Sequence, residues 1–132
     1  MPFDPKDFLI LAKNLCNDIN YSNESGFRTG ISRAYYSAFL VCRTFLETRH
    51  RMRIPDTPIA HKRVVQGLRK RRVLQTLVNL PYSSRHTVAD ALDDLRKYGR
   101  NIADYDLTVY LTKTHALSWI RQAEYVVRAI PR

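Results

Sequence analysis

The chain is poor in the residues that staple a fold, cradle a phosphate or hold a metal. Its only two cysteines, Cys16 and Cys42, lie far from any paired-cysteine motif, which excludes a disulfide framework and a thiolate zinc site. Each falls inside a helical pattern, where a free thiol serves as a small buried hydrophobe in a reducing cytosol. With four glycines in all, there is no Gly-rich loop to wrap a phosphate. The four histidines, His50, His61, His86 and His115, fall at no metal-ligand spacing, so neither a metal nor another cofactor is expected. A nucleophile elbow and a Cys–His constellation are also absent. No apolar run approaches the roughly 20 residues that span a bilayer, and Met1-Pro2-Phe3-Asp4-Pro5 lacks the basic and apolar regions of a signal peptide. The expectation is a cytoplasmic protein with no membrane partner.

Acids are scarce in one stretch only. Between Arg43 and Arg85 there are eleven basic residues against two acids, Glu47 and Asp56, so this stretch carries +9 of the net +10. The next helical pattern balances Asp90, Asp93 and Asp94 against Arg96, Lys97 and Arg100. Such asymmetry points to an anionic partner, nucleic acid before an acidic protein or membrane surface. The run Lys62-Arg63 and Arg69-Lys70-Arg71-Arg72 is the candidate RNA-binding surface, with Tyr82 and His86 nearby to stack on unpaired bases. A solvated helix face that aids solubility is the competing account of the same run.

What the chain has in quantity is apolar residues at helical spacing, and 132 residues suffice for one domain, 1–132, with one core. Asp4-Pro5 reads as an N-cap followed by proline, opening a helix with Phe8, Leu11, Ala12, Leu15 and Ile19 inward. A second helix starting near Ser22 or Asn23 carries a wide stripe of Phe27, Ile31, Ala34, Tyr35, Ala38, Phe39, Cys42, Phe45 and Leu46. Gly26 and Gly30 mark its first turns as places of fraying or of close approach to a neighbour. Thr57-Pro58 caps a third helix through Val64, Val65, Leu68, Val73, Leu77 and Val78. Ser83-Ser84 caps a fourth with Val88, Ala91, Leu92, Leu95 and Ile102 inward, and the fifth buries Ala116, Trp119, Ile120, Ala123, Val126, Val127 and Ile130. No stretch alternates as a strand does. The expected fold is all-α: an up-and-down antiparallel bundle of four main helices plus a fifth.

At the end of the fourth helix, Arg100-Asn101-Ile102-Ala103-Asp104-Tyr105-Asp106 gathers a guanidinium, an amide, carboxylates and a phenol within about two helical turns. A permanently charged fork beside hydrogen-bonding groups suits phosphate recognition. Arg100 can equally form an ordinary surface pair with Asp104 at i+4 or with Asp93, and Asp104 and Tyr105 can be a solvated acid and a packing residue.

Two segments in this order, Gly30-Ile31-Ser32-Arg33-Ala34-Tyr35-Tyr36-Ser37-Ala38-Phe39 and Leu95-Arg96-Lys97-Tyr98-Gly99-Arg100-Asn101-Ile102-Ala103-Asp104-Tyr105, resemble the HEPN domain family (higher eukaryotes and prokaryotes nucleotide-binding). His61 fits the histidine often found at the start of that family's third helix. The resemblance covers most of the chain, from about Asp4 to Ile130. It implies a helical bundle that pairs as a two-fold homodimer. In active members an arginine, often followed directly by a polar residue and, after four to six intervening residues, by a histidine, lies at the dimer cleft and supports metal-independent RNA cleavage. Many members are toxins of toxin–antitoxin or anti-phage systems encoded beside a small nucleotidyltransferase; others are degenerate RNA-binding or regulatory modules. Carried over, Arg100 matches the arginine and Asn101 the polar residue, and Arg33 is a candidate for lining the cleft. The histidine window holds Tyr105, Asp106 and Leu107 instead. A free phenol titrates near 10 and is a poor general base at neutral pH, so the resemblance leaves two functions open: an endoribonuclease, or a partner of the nucleotidyltransferase.

Overall fold

The computed structural model describes residues 3–78 and 86–131, and among them every regular element is helical. The elements are α1 (Lys6–Asn17), α2 (Glu24–Arg49), α3 (Ala60–Leu68), α4 (Arg71–Leu74), α5 (His86–Asp94), a wider π-helical turn (Leu95–Arg100), α6 (Asn101–Tyr105) and α7 (Lys113–Ala129). Helix α5, the π turn and α6 run on without a break. No helix among the described residues is long and apolar enough to cross a membrane.

Helix α2 is the element on which the others pack. Asn23 caps it by accepting the Gly26 N–H at 3.0 Å, and all nine residues of its expected stripe are buried. Helices α1 and α7 cover it on one side, and α3, α6 and the π turn on the other. Both cysteines are buried, and burial pushes the Cys42 thiol up and, less strongly, that of Cys16.

Helix α1 starts as its sequence predicts, with the Lys6 N–H donating to Asp4 Oδ1 at 3.0 Å. Its inward face differs. Leu9, Ala12 and Cys16 are buried, whereas Leu11 is exposed and Ile19 is 91% exposed. The cause is Gly30, which brings α1 and α2 into backbone contact. A Cβ there would sit 3.0 Å from Cys16 Sγ and 3.2 Å from the Ala12 carbonyl oxygen, so the small residues of α1 take the seam. Ile19 lies beyond the helix end at Asn17, where no periodicity applies.

The third helical pattern is not one helix. It opens at Ala60 without the expected side-chain cap from Thr57, whose carbonyl accepts the Ala60 N–H instead. It breaks after Leu68, where Lys70 is extended, and resumes as the single turn α4. Four adjacent cations would place charge on every side of a continuous helix, and the break leaves all four exposed. Val64, Val65, Leu68, Val73 and Leu77 are buried as expected, while Val78 is exposed. Ser83, Ser84 and Tyr82 lie outside the described residues, as does the side chain of His86. Trp119 is half-buried rather than core, lying against Gly99, where a Cβ would come within 3.2 Å of its ring.

Gly26 gives this packing a sign that can be measured. Helix propensity alone makes Gly→Ala stabilising by about 1 kcal/mol. A Cβ at Gly26, however, would collide with the Tyr21 carbonyl oxygen of the α1–α2 turn. Gly26→Ala is expected to lower the unfolding free energy in urea titration by about 2 kcal/mol, within the range of overpacked sites. An increase would show that the turn yields freely.

Candidate functional site

The residues that converge on Arg100 come from α2, the π turn and α6. A π turn carries one more residue per hydrogen-bonded ring than an α turn, which resets the direction of the side chains that follow. Here it places the Arg100 guanidinium across α2 with only 18% of its side chain exposed. Nε donates to Asp104 Oδ2 at 3.1 Å, Nη1 to Asn101 Oδ1 at 3.3 Å, and Nη2 to the hydroxyls of Tyr36 at 3.1 Å and Tyr105 at 3.3 Å. Asp104 Oδ2 also accepts from the Ser32 hydroxyl at 3.2 Å. Burial opposes the Arg100 charge, but the surrounding phenols and Asp104 outweigh it, and the net shift holds the guanidinium still more firmly protonated.

The four residues expected from the motif, Arg100, Asn101, Asp104 and Tyr105, thus form one cluster. Arg33 stands next to it, its guanidinium 5.3 Å from the Phe8 ring centroid and 5.2 Å from that of Tyr36. Arg100 in turn lies 5.5 Å from the Tyr36 ring and 5.3 Å from that of Tyr105. Rings and cations therefore alternate from Phe8 through Arg33, Tyr36 and Arg100 to Tyr105, tying α1, α2 and α6 together. Each such contact contributes about 0.5–2 kcal/mol depending on burial. Beside the row opens a groove of about 530 Å³ between Arg33 on one wall and Asp104, Tyr105 and Leu107 on the other. Tyr105 is 70% exposed at its mouth.

Three contributors were not legible as site residues. Tyr36 and Ser32 stood within the segment that carries the family resemblance, but no role at the site was read for either. Arg28 gave no signal beyond a Glu24 four residues before it, yet its guanidinium organises the far side of the site. Nη1 donates to the carbonyls of Ile102, Ala103 and Asp106 at 3.0–3.1 Å, and Nη2 to the Val109 carbonyl. Nε and Nη2 pair with Glu24 at 3.0 and 2.9 Å. One cation thereby binds carbonyls in the last turn of α6 and in the loop beyond it, that of Ile102 also accepting the Asp106 N–H, and opposes the negative end of the helix dipole.

Beneath the cluster runs a polar chain that is buried at Tyr35 and His61 and reaches solvent at Lys97. Tyr35 OH lies 2.7 Å from His61 Nδ1, His61 Nε2 lies 3.2 Å from Asp93 Oδ1, and Asp93 Oδ2 pairs with Lys97 at 3.0 Å. An ionised Asp93 can only accept, so Nε2 carries the proton and Nδ1 accepts from the phenol. Burial pushes the Tyr35 phenol well above its ordinary value, against the pull of the Arg96 and Arg100 charges. With its hydroxyl used in this way, Tyr35 supports the ring row from below. Asp93 is therefore engaged with His61 and Lys97, and Arg100 pairs with Asp104.

The basic residues of the second motif do not enter this cluster. Lys62 and Arg63 are exposed on α3, Arg69 is bound to Asp90 at 2.7 Å, and Lys70, Arg71 and Arg72 are exposed at the break between α3 and α4.

Burial, with smaller contributions from Arg96 and Lys97, pushes His61 below its ordinary 6.5 despite the opposing hydrogen bond to Asp93. The unfolded chain therefore takes up this proton first, so the contribution is intact above 6.5 and is lost as pH falls toward the native value. Wild-type stability is expected to decline as pH drops below 6.5. His61→Gln should remove that part of the decline in denaturant titrations at stepped pH; an identical slope in the variant would assign the loss to other groups.

No protein-family model matches the chain, and no solved structure matches it. It is similar to the uncharacterized protein MJ0992 of Methanocaldococcus jannaschii, with 31% identity over 121 residues that take in 87% of this chain and 67% of that protein. The chain belongs to the same family as MJ0992.

Proposed function

We propose that this chain is a HEPN-type RNA-acting protein that holds RNA at a cleft around Arg100. The fold in this reading is the up-and-down antiparallel bundle of four main helices plus a fifth, paired as a two-fold homodimer. The observation that carries it is the cluster itself: a largely buried arginine aligned by Asp104, Asn101, Tyr36 and Tyr105 beside an open groove. A guanidinium held in one orientation is suited to a phosphate's oxygens, and exposed Tyr105 offers a ring on which an unpaired base can stack. Arg33, on the opposite wall, adds a second cation. Lys62, Arg63 and the Arg69–Arg72 run supply the counterion-releasing charge that strengthens RNA association.

The same geometry favours holding over cutting. Cleavage by the ribose 2′-hydroxyl needs a base that works near neutral pH, and the family's histidine position carries a phenol bonded to Arg100. Arg100→Ala is expected to weaken binding of an unstructured fluorescent RNA by about tenfold, the loss of one charge-assisted contact. In EDTA the RNA should remain intact. Cyclic-phosphate ends that vanish in Arg100→Ala would convert the reading to a metal-independent endoribonuclease, and unaltered affinity would remove Arg100 from the site.

A second reading rests on the exposed Tyr105 hydroxyl. In it the chain is the regulated component of a toxin–antitoxin or defence pair. A small nucleotidyltransferase transfers a nucleotidyl group from a nucleoside triphosphate to the Tyr105 oxygen, which loses its proton as pyrophosphate leaves. Co-expression with a nucleotidyltransferase encoded beside it should add a nucleotidyl mass that Tyr105→Phe abolishes; an unchanged wild-type mass would dismiss this reading.

A further inference from the structure

Ion pairs take up only part of the positive charge, and besides six cations at the C-terminal end of α2, Lys62, Arg63, Lys113 and Arg121 are exposed without a carboxylate among the described residues. Lys13, Arg28, Arg43, Arg69, Lys97, Arg100 and Arg128 each have a carboxylate partner. Arg49, Arg51, Arg53, Lys70, Arg71 and Arg72 are all exposed and have none among the described residues. These six come from separate segments that meet at the C-terminal end of α2. The Leu46 carbonyl accepts the N–H groups of His50 and Met52, which turns the chain back over the helix end. His50 Nε2 then meets Thr76 Oγ1 at 3.1 Å, binding the stretch after α4 to the same place. Gly67 lets α3 close on Leu46 and Met52, where a Cβ would be 2.9–3.0 Å from their side chains. Arg51 holds a left-handed backbone (φ 52°) that a non-glycine residue adopts at a cost, and the strain is spent on a residue directed to solvent. The local field is positive enough that Arg72 adds to burial in holding His50 below its ordinary value.

Among the described residues this end carries no exposed phenyl or phenol ring, and the His50 imidazole stands edge-on to the buried Phe45. The exposed aromatic side chains among the described residues are Phe3, Tyr21, Tyr98, Tyr105 and Tyr110, none of them in the segments that carry the six cations. Along α2, Tyr36 and Arg49 are separated by about 20 Å at 1.5 Å per residue, so one phosphate cannot touch both ends. Single strands are best held where bases can stack, whereas paired RNA offers chiefly its phosphates and 2′-hydroxyls.

We infer that the C-terminal end of α2, with the α3–α4 break, is a second RNA surface that docks the phosphate backbone of a base-paired segment. This rests on the RNA reading above and deepens it. The preferred RNA then has a duplex at the cationic end and unpaired nucleotides at the Arg100 groove.

The test compares a labelled RNA hairpin with unstructured oligouridine, using wild type, Arg51→Glu/Arg72→Glu, and a control of equal charge change, Lys113→Glu/Arg121→Glu. Circular dichroism establishes that the helices persist in each. Hairpin affinity should fall at least about tenfold in the first variant alone, with the slope of log affinity against log salt shallower by about one per cation removed. Oligouridine binding should change no more than in the control. Equal losses on both RNAs, or equal losses in both variants, would overturn the duplex assignment while leaving the Arg100 reading in place. Tighter binding of polyglutamate than of hairpin would overturn it in favour of an acidic protein partner. Failure of the wild type to bind either RNA would remove both readings.

Discussion

The guanidinium of Arg28 joins the first turns of α2 to the stretch from Ile102 to Val109, a junction that the Ser32–Asp104 bond continues along α2. A helix that ends away from water leaves carbonyls unpaired, and each buried one left so costs about 1–3 kcal/mol. Arg28 donates to four carbonyls between Ile102 and Val109 with one side chain, that of Ile102 also accepting the Asp106 N–H, and Glu24 fixes its fork. Helix α6 is the last five residues of a continuous run from His86, so this anchor sets where that run ends against α2. The setting of Asn101, Asp104 and Tyr105 against α2 therefore follows from this anchor. The alignment of Arg100 follows from theirs.

The helical core was legible because its signal is redundant. Nine stripe residues of α2 repeat the same period, and no single misfit could rotate the helix. Helix α1 was misread by one position of rotation because its seam is set by a contact between backbones at Gly30, which periodicity does not register. The break at Lys70 was hidden for a related reason. Val64, Leu68, Val73 and Leu77 keep a helical rhythm across it, so the apolar pattern continues where the backbone does not. At the site, the motif residues were found because they are neighbours in sequence. Tyr36 and Ser32 were missed as site residues because their partners lie more than sixty residues away. Arg28 was the hardest to see, since its acceptors are main-chain oxygens that carry no sequence signature.

Charge and aromatic surface are segregated rather than mixed. Where cations meet rings, in the row from Phe8 to Tyr105, the guanidinia are half-buried and locked. Where they meet none, at the end of α2, they are mobile-length side chains left to solvent without carboxylates. The first arrangement reads shape and orientation; the second responds to total charge and to salt. Net charge alone, +10 over the chain, could not distinguish these, because both contribute to the same total.

The π turn at Leu95–Arg100 makes the site a matter of register. Upstream of it the helix follows one set of faces, with Asp90 and Asp93 toward α3; downstream it follows another, with Arg100 and Asp104 toward α2. Were the same six residues wound as α-helix, everything after them would swing by about 100° about the axis. The core residues Leu92 and Leu95 would keep their places, so the domain could still fold. Tyr36 would then face a side chain other than Arg100. A working site thus depends on the wide winding of these six residues as much as on the identity of any one of them.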